Sequence, residues 1–191
     1  MKSDGRTRSP PGLAIVLVLL TILAAALSIP PSKGLWSEDL NISVGVSVAD
    51  YTCPRSKGFW QHQFSAALGI QGSGFFSLSE LDDMLLAING SSQIFSFDQP
   101  SIYDRAAEAL AVLKPPYADM EEKVEAQLLA LWLNHVSGYA DGYEISYDGT
   151  VYDASSLIAA VEDALVNGDQ DNYVYWKDAA ETFNTSFDCG P

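Results

Sequence analysis

The chain has 191 residues, 25 of them Asp or Glu against 10 Lys or Arg, for a formal charge of −15, with 48% apolar residues, 11% aromatic residues and two cysteines. That is the length of one domain, or of one domain with an appendage, and the apolar content excludes wholesale disorder. The acidic excess excludes nucleic acid as a partner, since phosphate backbones are held by clustered Lys and Arg, and it favours cations.

Lys2, Arg6 and Arg8 precede Gly12–Ile29, a run with no charged residue. At about 1.5 Å per residue this run reaches roughly 27 Å, enough for a hydrocarbon core, whereas the apolar stretch of a cleaved signal peptide is usually shorter. Ala24-Ala25-Ala26 offers a small-x-small cleavage site, and Pro30-Pro31 ends a helix in either case. Residues 1–34 therefore read as a signal peptide or signal anchor with its linker, and residues 12–29 as the contact with the membrane. Basic residues ahead of the run keep the N-terminus inside and deliver the rest of the chain outside. Cysteine usage agrees with export. Cys53 and Cys189 form an even pair, most simply one disulfide in an oxidising compartment; it would close a loop of about 137 residues and, in the chain-entropy model, contribute on the order of 5 kcal/mol. Sequons at Asn41, Asn89 and Asn184 are available to glycosylation.

Residues 35–52 form a strand segment, because Leu40-Asn-Ile-Ser-Val-Gly-Val-Ser-Val48 alternates apolar with small or polar residues at period two. Beyond Cys53 the period changes. Phe59–Leu68 is short and aromatic-rich, and Gly69–Gly74 reads as a linker. Ser77-Leu-Ser-Glu80 is a capping box that opens a helix through Ile88. The next helix starts near Ser101 and ends before Pro115-Pro116, with Ile102, Ala106, Leu110 and Leu113 on one stripe. Asp119 and Glu122 cap a longer helix that runs to Ser137 before Gly138. Its second half, Leu128–Leu133, is apolar on every side and so belongs at the centre of the domain. Tyr143–Tyr147, Asp148-Gly149 and Thr150–Tyr152 read as a hairpin with a type I′ turn. Two helices follow, Ser156–Val166 and roughly Asn172–Phe183. Residues 53–191 are therefore expected to form a mainly α, disulfide-closed helical bundle with a minor β element. That element is the N-terminal strand plus the hairpin, preceded by the membrane or signal helix. A strand with five apolar side chains needs a sheet; residues 40–48 join the hairpin or complete a sheet in a neighbour.

Chemistry is sparse. His62 and His135 form no zinc pattern, and His135 reads as a packed or last-turn residue. Asn167, Asp169, Asp171 and Asp178 place oxygens at the first, third, fifth and last positions of a calcium loop, with Asn172 where Gly is wanted and Asp for the last Glu. The alternative for the same residues is a helix C-cap followed by an Asp N-cap, which needs no metal. Phe59, Trp60 and Phe64 read as core rings near Cys53, or as an exposed aromatic platform for glycan or peptide.

Cys53-Pro-Arg-Ser-Lys-Gly-Phe-Trp-Gln-His-Gln-Phe64 resembles the Cys…Gly-(Tyr/Phe)-Trp-Lys opening of an uncharacterised domain in exported surface proteins of archaea and bacteria, with Gln61 in place of the family's Lys. Ser79–Asn89, Ala126–Asn134 and the Lys177-Asp178 helix extend the likeness over most of residues 53–189. It implies location and architecture. Separately, residues 35–48 resemble the N-terminus of TasA and camelysin-type fibre proteins. Together these readings point to a non-enzymatic exported cell-surface protein with a structural, adhesion or envelope role. It would sit on the extracellular face of the membrane or be secreted, self-associating through residues 40–48 or meeting other envelope proteins. The alternatives are an extracellular hydrolase using a carboxylate pair, or a calcium- or glycan-binding module.

Overall fold

The computed structural model describes residues 53–187, all of which fall in the second of the chain's two units, Val48–Pro191. The segments 12–29 and 40–48 lie outside the described residues, as do Asn41 and Cys189.

Local signals set the helix starts. Ser56 caps α1 (Lys57–Ala67) by accepting from the Phe59 N–H. Ser77 and Glu80 form a reciprocal capping box on α2 (Leu78–Asn89), and Ser101 caps α3 (Ile102–Leu113). A second reciprocal box, Asp119 with Glu122, opens α4 (Met120–Val136). Each box satisfies two backbone donors that a helix start would otherwise leave open. A hairpin follows, β1 (Glu144–Tyr147) paired antiparallel with β2 (Thr150–Asp153) in the register Ile145 opposite Tyr152. Asp148 and Gly149 both take positive φ, 48° and 78°. That is the requirement of a type I′ turn, and Asp-Gly meets it at low cost. Asp153 then caps α5 (Ala154–Val166) through a third box with Ser156, so the helix begins two residues earlier than the apolar spacing indicates. Gly168, at φ 65°, follows the α5 C-cap Asn167. A single turn of 3-10 helix, Gln170–Asn172, leads into α6 (Tyr173–Thr185).

The core forms around α4, which contacts all five other helices. From Ala126 to Asn134 every one of its residues is buried, as expected for a stretch that is apolar on all sides. Trp60 and Phe64 from α1, Leu81, Leu85 and Ile88 from α2, and Phe183 from α6 fill the space around it, each fully buried. The hairpin lies at the edge, β1 against α6 and β2 against α5.

The domain is thus mainly helical with a two-stranded β element, and the aromatic-rich segment at 59–68, to which the sequence assigns no element, lies in helix α1 with Leu68 as its C-cap. Two expectations are corrected. No helix among the described residues is long and apolar enough to cross a membrane, so a transmembrane helix is not part of the described fold. No disulfide joins two described residues. Cys53 is buried and is not a free thiol, and its expected partner, Cys189, lies outside the described range.

Candidate functional site

The segment that enters α1 is fixed by one buried amide. Asn134, on α4 and wholly shielded from solvent, accepts at Oδ1 from the Arg55 backbone N–H at 2.8 Å and from Trp60 Nε1 at 3.1 Å. Its Nδ2 donates to the Arg55 carbonyl at 2.8 Å and to Asn184 Oδ1 at 2.9 Å. Asn184 in turn donates to the Gln127 carbonyl. Two buried amides therefore join α1, α4 and α6, with each polar group partnered, as an apolar core requires.

Aromatic rings extend from this seam. Trp60 stacks on Phe76, with centroids 5.6 Å apart, and leans on Tyr139 at 6.0 Å. Phe59, half-buried, stacks on Phe75 at 6.2 Å. Trp60 and Phe64 are fully buried, so Phe59, Trp60 and Phe64 do not form an exposed platform; they are core rings, with Phe59 at the margin. Arg55 lies across that margin, its guanidinium 5.4 Å from the Phe59 centroid and 5.7 Å from that of Tyr139. Pro54, Arg55, Ser56, Phe59, Thr185 and Phe187 border a surface cavity of about 220 Å³ here.

The residues of the calcium pattern are not brought together. Both oxygens of Asp169 accept from Asn172 Nδ2, at 3.1 and 2.9 Å. Asn167 turns its amide back onto Asp163. Asp171 is exposed in the 3-10 turn, and Asp178 sits on α6 with Lys177 Nζ 2.6 Å away. No group of three His, Cys, Asp or Glu able to hold a metal occurs among the described residues. This is the cap arrangement, in which the side chains serve backbone and neighbours.

Of the described sequons, Asn89 is half-buried. Its Oδ1 accepts from the Phe97 N–H and its Nδ2 donates to Asp98. Asn184 is buried, 1% exposed, so the folded domain cannot present it to a glycosyltransferase.

Two carboxylates are buried among the described residues, and both are committed. Asp82 receives Arg105 in a fork, Nε and Nη2 each 2.7 Å from an oxygen. Glu162 accepts from Trp132 Nε1 at 2.9 Å, from the Ser92 hydroxyl and from the Gln93 N–H. His135 packs edge-on to Trp132 at 5.9 Å and borders a cavity of about 270 Å³ with Asp141, Glu144 and Asp153. On the hairpin, the Tyr152 hydroxyl, 3.5 Å from that of Tyr175, acts with burial to push the Tyr175 phenol up to about 12.

Sequence reasoning misses Asn134, Asn184 and Glu162 as organisers. An Asn in an apolar helical run, as in Leu-Trp-Leu-Asn134, is the signal that could have marked the first, because a polar residue there must find partners. Compared with known proteins, the chain matches no family model, no curated protein and no solved structure.

Proposed function

We propose that the chain is a non-enzymatic, exported cell-surface protein with a structural, adhesion or envelope role, delivered by residues 12–29. The observation that supports this reading most is the order along the chain. A basic terminus and an uncharged apolar run come before a domain whose helices close on one core and whose surface carries carboxylates such as Glu121, Glu122, Asp141, Asp163 and Asp171, all exposed. An acidic skin on a closed core keeps a protein soluble and separated at an exposed surface, and draws cations to it. Removing residues 12–29 should leave the chain in the cytoplasmic fraction, whereas the intact chain should fractionate with membranes or medium. Identical fractionation of the two would overturn the reading.

The sharper form of the proposal is self-association between copies through the alternating segment 40–48, whose five apolar side chains alternate with small or polar ones. Light scattering of the protein with and without residues 35–49 tests it. A larger species that is lost on deletion supports self-association, and monomers in both cases remove it.

A further inference from the structure

Where α4 begins beside the turn that leads into α6, Asp119, Met120, Glu121, Gln170 and Tyr173 line a surface cavity of about 290 Å³. Asp119 and Glu121 are exposed, and Met120 is half-buried. Tyr173 is only 3% exposed. Its hydroxyl hydrogen-bonds to no described residue, yet it is not one of the unpartnered polar atoms closed to solvent; the part of Tyr173 that reaches the cavity is therefore the hydroxyl. Burial, then the charges of Glu121, Asp169, Glu125 and Asp119, hold this phenol above its ordinary value. Every one of those charges is a carboxylate, and the phenol stays protonated at neutral pH.

The donor set decides which cation fits. Asp169 gives both oxygens to Asn172, Asp119 gives Oδ1 to the Glu122 N–H, and no three His, Cys, Asp or Glu among the described residues converge as metal ligands. A hard divalent ion, which takes six or more oxygens, is poorly served there. A primary ammonium asks for less, since it carries three N–H donors on one charge. Asp119 Oδ2, the Glu121 carboxylate and the Tyr173 hydroxyl can each accept one of them. Met120 offers apolar surface to a methylene stem. The cavity is just below the roughly 300–1,000 Å³ of pockets for drug-sized ligands, so the stem is short. Glu125 and Asp169 act on the same phenol, and their charges favour a second positive group on the ligand.

We propose that this cavity binds a short aliphatic diamine, with one ammonium held by Asp119, Glu121 and the Tyr173 hydroxyl and the methylene stem against Met120. The proposal goes beyond the surface role above and does not depend on where the protein resides.

The test is a titration of the purified full-length chain followed by NMR shifts, in about 0.15 M salt so that the acidic surface is screened beyond roughly 8 Å. The probes are cadaverine, tetramethylammonium as charge without N–H donors, N-acetyl-lysine methylamide as one ammonium on a peptide, and calcium. Cadaverine should saturate, with shifts gathered at 119–121 and 170–173, and the other three should bind at least about tenfold more weakly. Glu121→Gln should lose about tenfold, and Tyr173→Phe, which keeps the ring, about three- to tenfold. Asp141→Asn removes the same charge beyond the far end of α4, about 25 Å along that helix, and should change nothing. Should Tyr173→Phe not fold, the comparison of Glu121→Gln with Asp141→Asn, both at exposed positions, decides. Cadaverine that does not saturate, a Glu121→Gln variant that binds like the wild type, or an equal loss in Asp141→Asn overturns the site. Tetramethylammonium binding as tightly as cadaverine overturns the hydrogen-bonded ammonium, and calcium doing so at the same residues overturns it in favour of a metal. N-acetyl-lysine methylamide binding as tightly as cadaverine overturns the free diamine in favour of a lysine from a partner protein.

Discussion

Replacing Asn134 by Ala should be among the most damaging single changes in the domain. Four hydrogen bonds are lost together: from the Arg55 N–H and Trp60 Nε1 to its oxygen, and from its Nδ2 to the Arg55 carbonyl and Asn184. Water can reach the half-buried Arg55 backbone, so those two groups recover part of their bonding. Trp60, at 0%, and Asn184, at 1%, are closed to solvent; each partner left unsatisfied costs about 1–3 kcal/mol. Adding the small cavity left by the lost amide brings the expected cost to about 4 kcal/mol, a large share of the roughly 5–15 kcal/mol that stabilises an ordinary domain. At about 4 °C per kcal/mol for a domain of this size, the melting temperature should fall by about 15 °C. Urea melts of Asn134→Ala, Trp60→Phe and the double variant separate lost bonds from lost volume. The double variant should be milder than the sum of the single ones by about 1–2 kcal/mol, because the indole N–H that Asn134→Ala strands is then gone. A cost below about 1 kcal/mol for Asn134→Ala, or strict additivity, would refute the view that this amide holds α1 to α4 and α6.

Trp60→Ala should cost about 3–5 kcal/mol in thermal or urea melts, since the ring is fully buried among Phe59, Phe76 and Tyr139. Glu162→Ala should cost about 2–4 kcal/mol by stranding the Trp132 indole and the Ser92 hydroxyl, with the Trp132 fluorescence shifted. Calcium at millimolar concentration should leave the melting temperature unchanged, because Asn167, Asp169, Asp171 and Asp178 do not converge; a rise of several degrees would contradict this. Burial, then the charges of Glu121, Glu122 and Asp119, hold the Glu125 carboxyl above its ordinary value. Its favourable contribution is therefore full below the unfolded-state value of about 4.3 and is lost as pH rises through the folded value. Glu125→Gln should stabilise the domain at pH 7 and lose that advantage below about pH 4.

Much of the fold is legible in the sequence because its signals are local. Ser77 with Glu80 and Asp119 with Glu122 mark helix starts within four residues, Asp148-Gly149 marks the hairpin turn, and Leu128–Leu133 shows by being apolar on every side that α4 lies at the centre. The misses concern partners distant in sequence. Asn184 reads as a sequon because Asn-Thr-Ser is a three-residue pattern, whereas its role depends on Asn134 and Gln127, brought close only by the packing of α6 on α4. Glu162 reads as one more acid on an amphipathic helix, and only the fold of residues 91–95 over it shows three donors converging. The calcium spacing fails for a related reason: a spacing names ligands, but Asn172 and Lys177 hold two of the oxygen sets for local bonds instead. Arg55, embedded in Cys-Pro-Arg-Ser, gives no sequence sign that two rings enclose it.

The central claim, that the domain lies outside the cell, is tested most directly by adding a protease that cuts after aromatic residues to intact cells producing the full chain. Tyr117, in the loop between α3 and α4, is 95% exposed and gives such a protease a site on the folded domain. The account predicts cleavage on intact cells while a cytoplasmic marker protein stays whole. A chain that survives on intact cells and is cut only after lysis would contradict it.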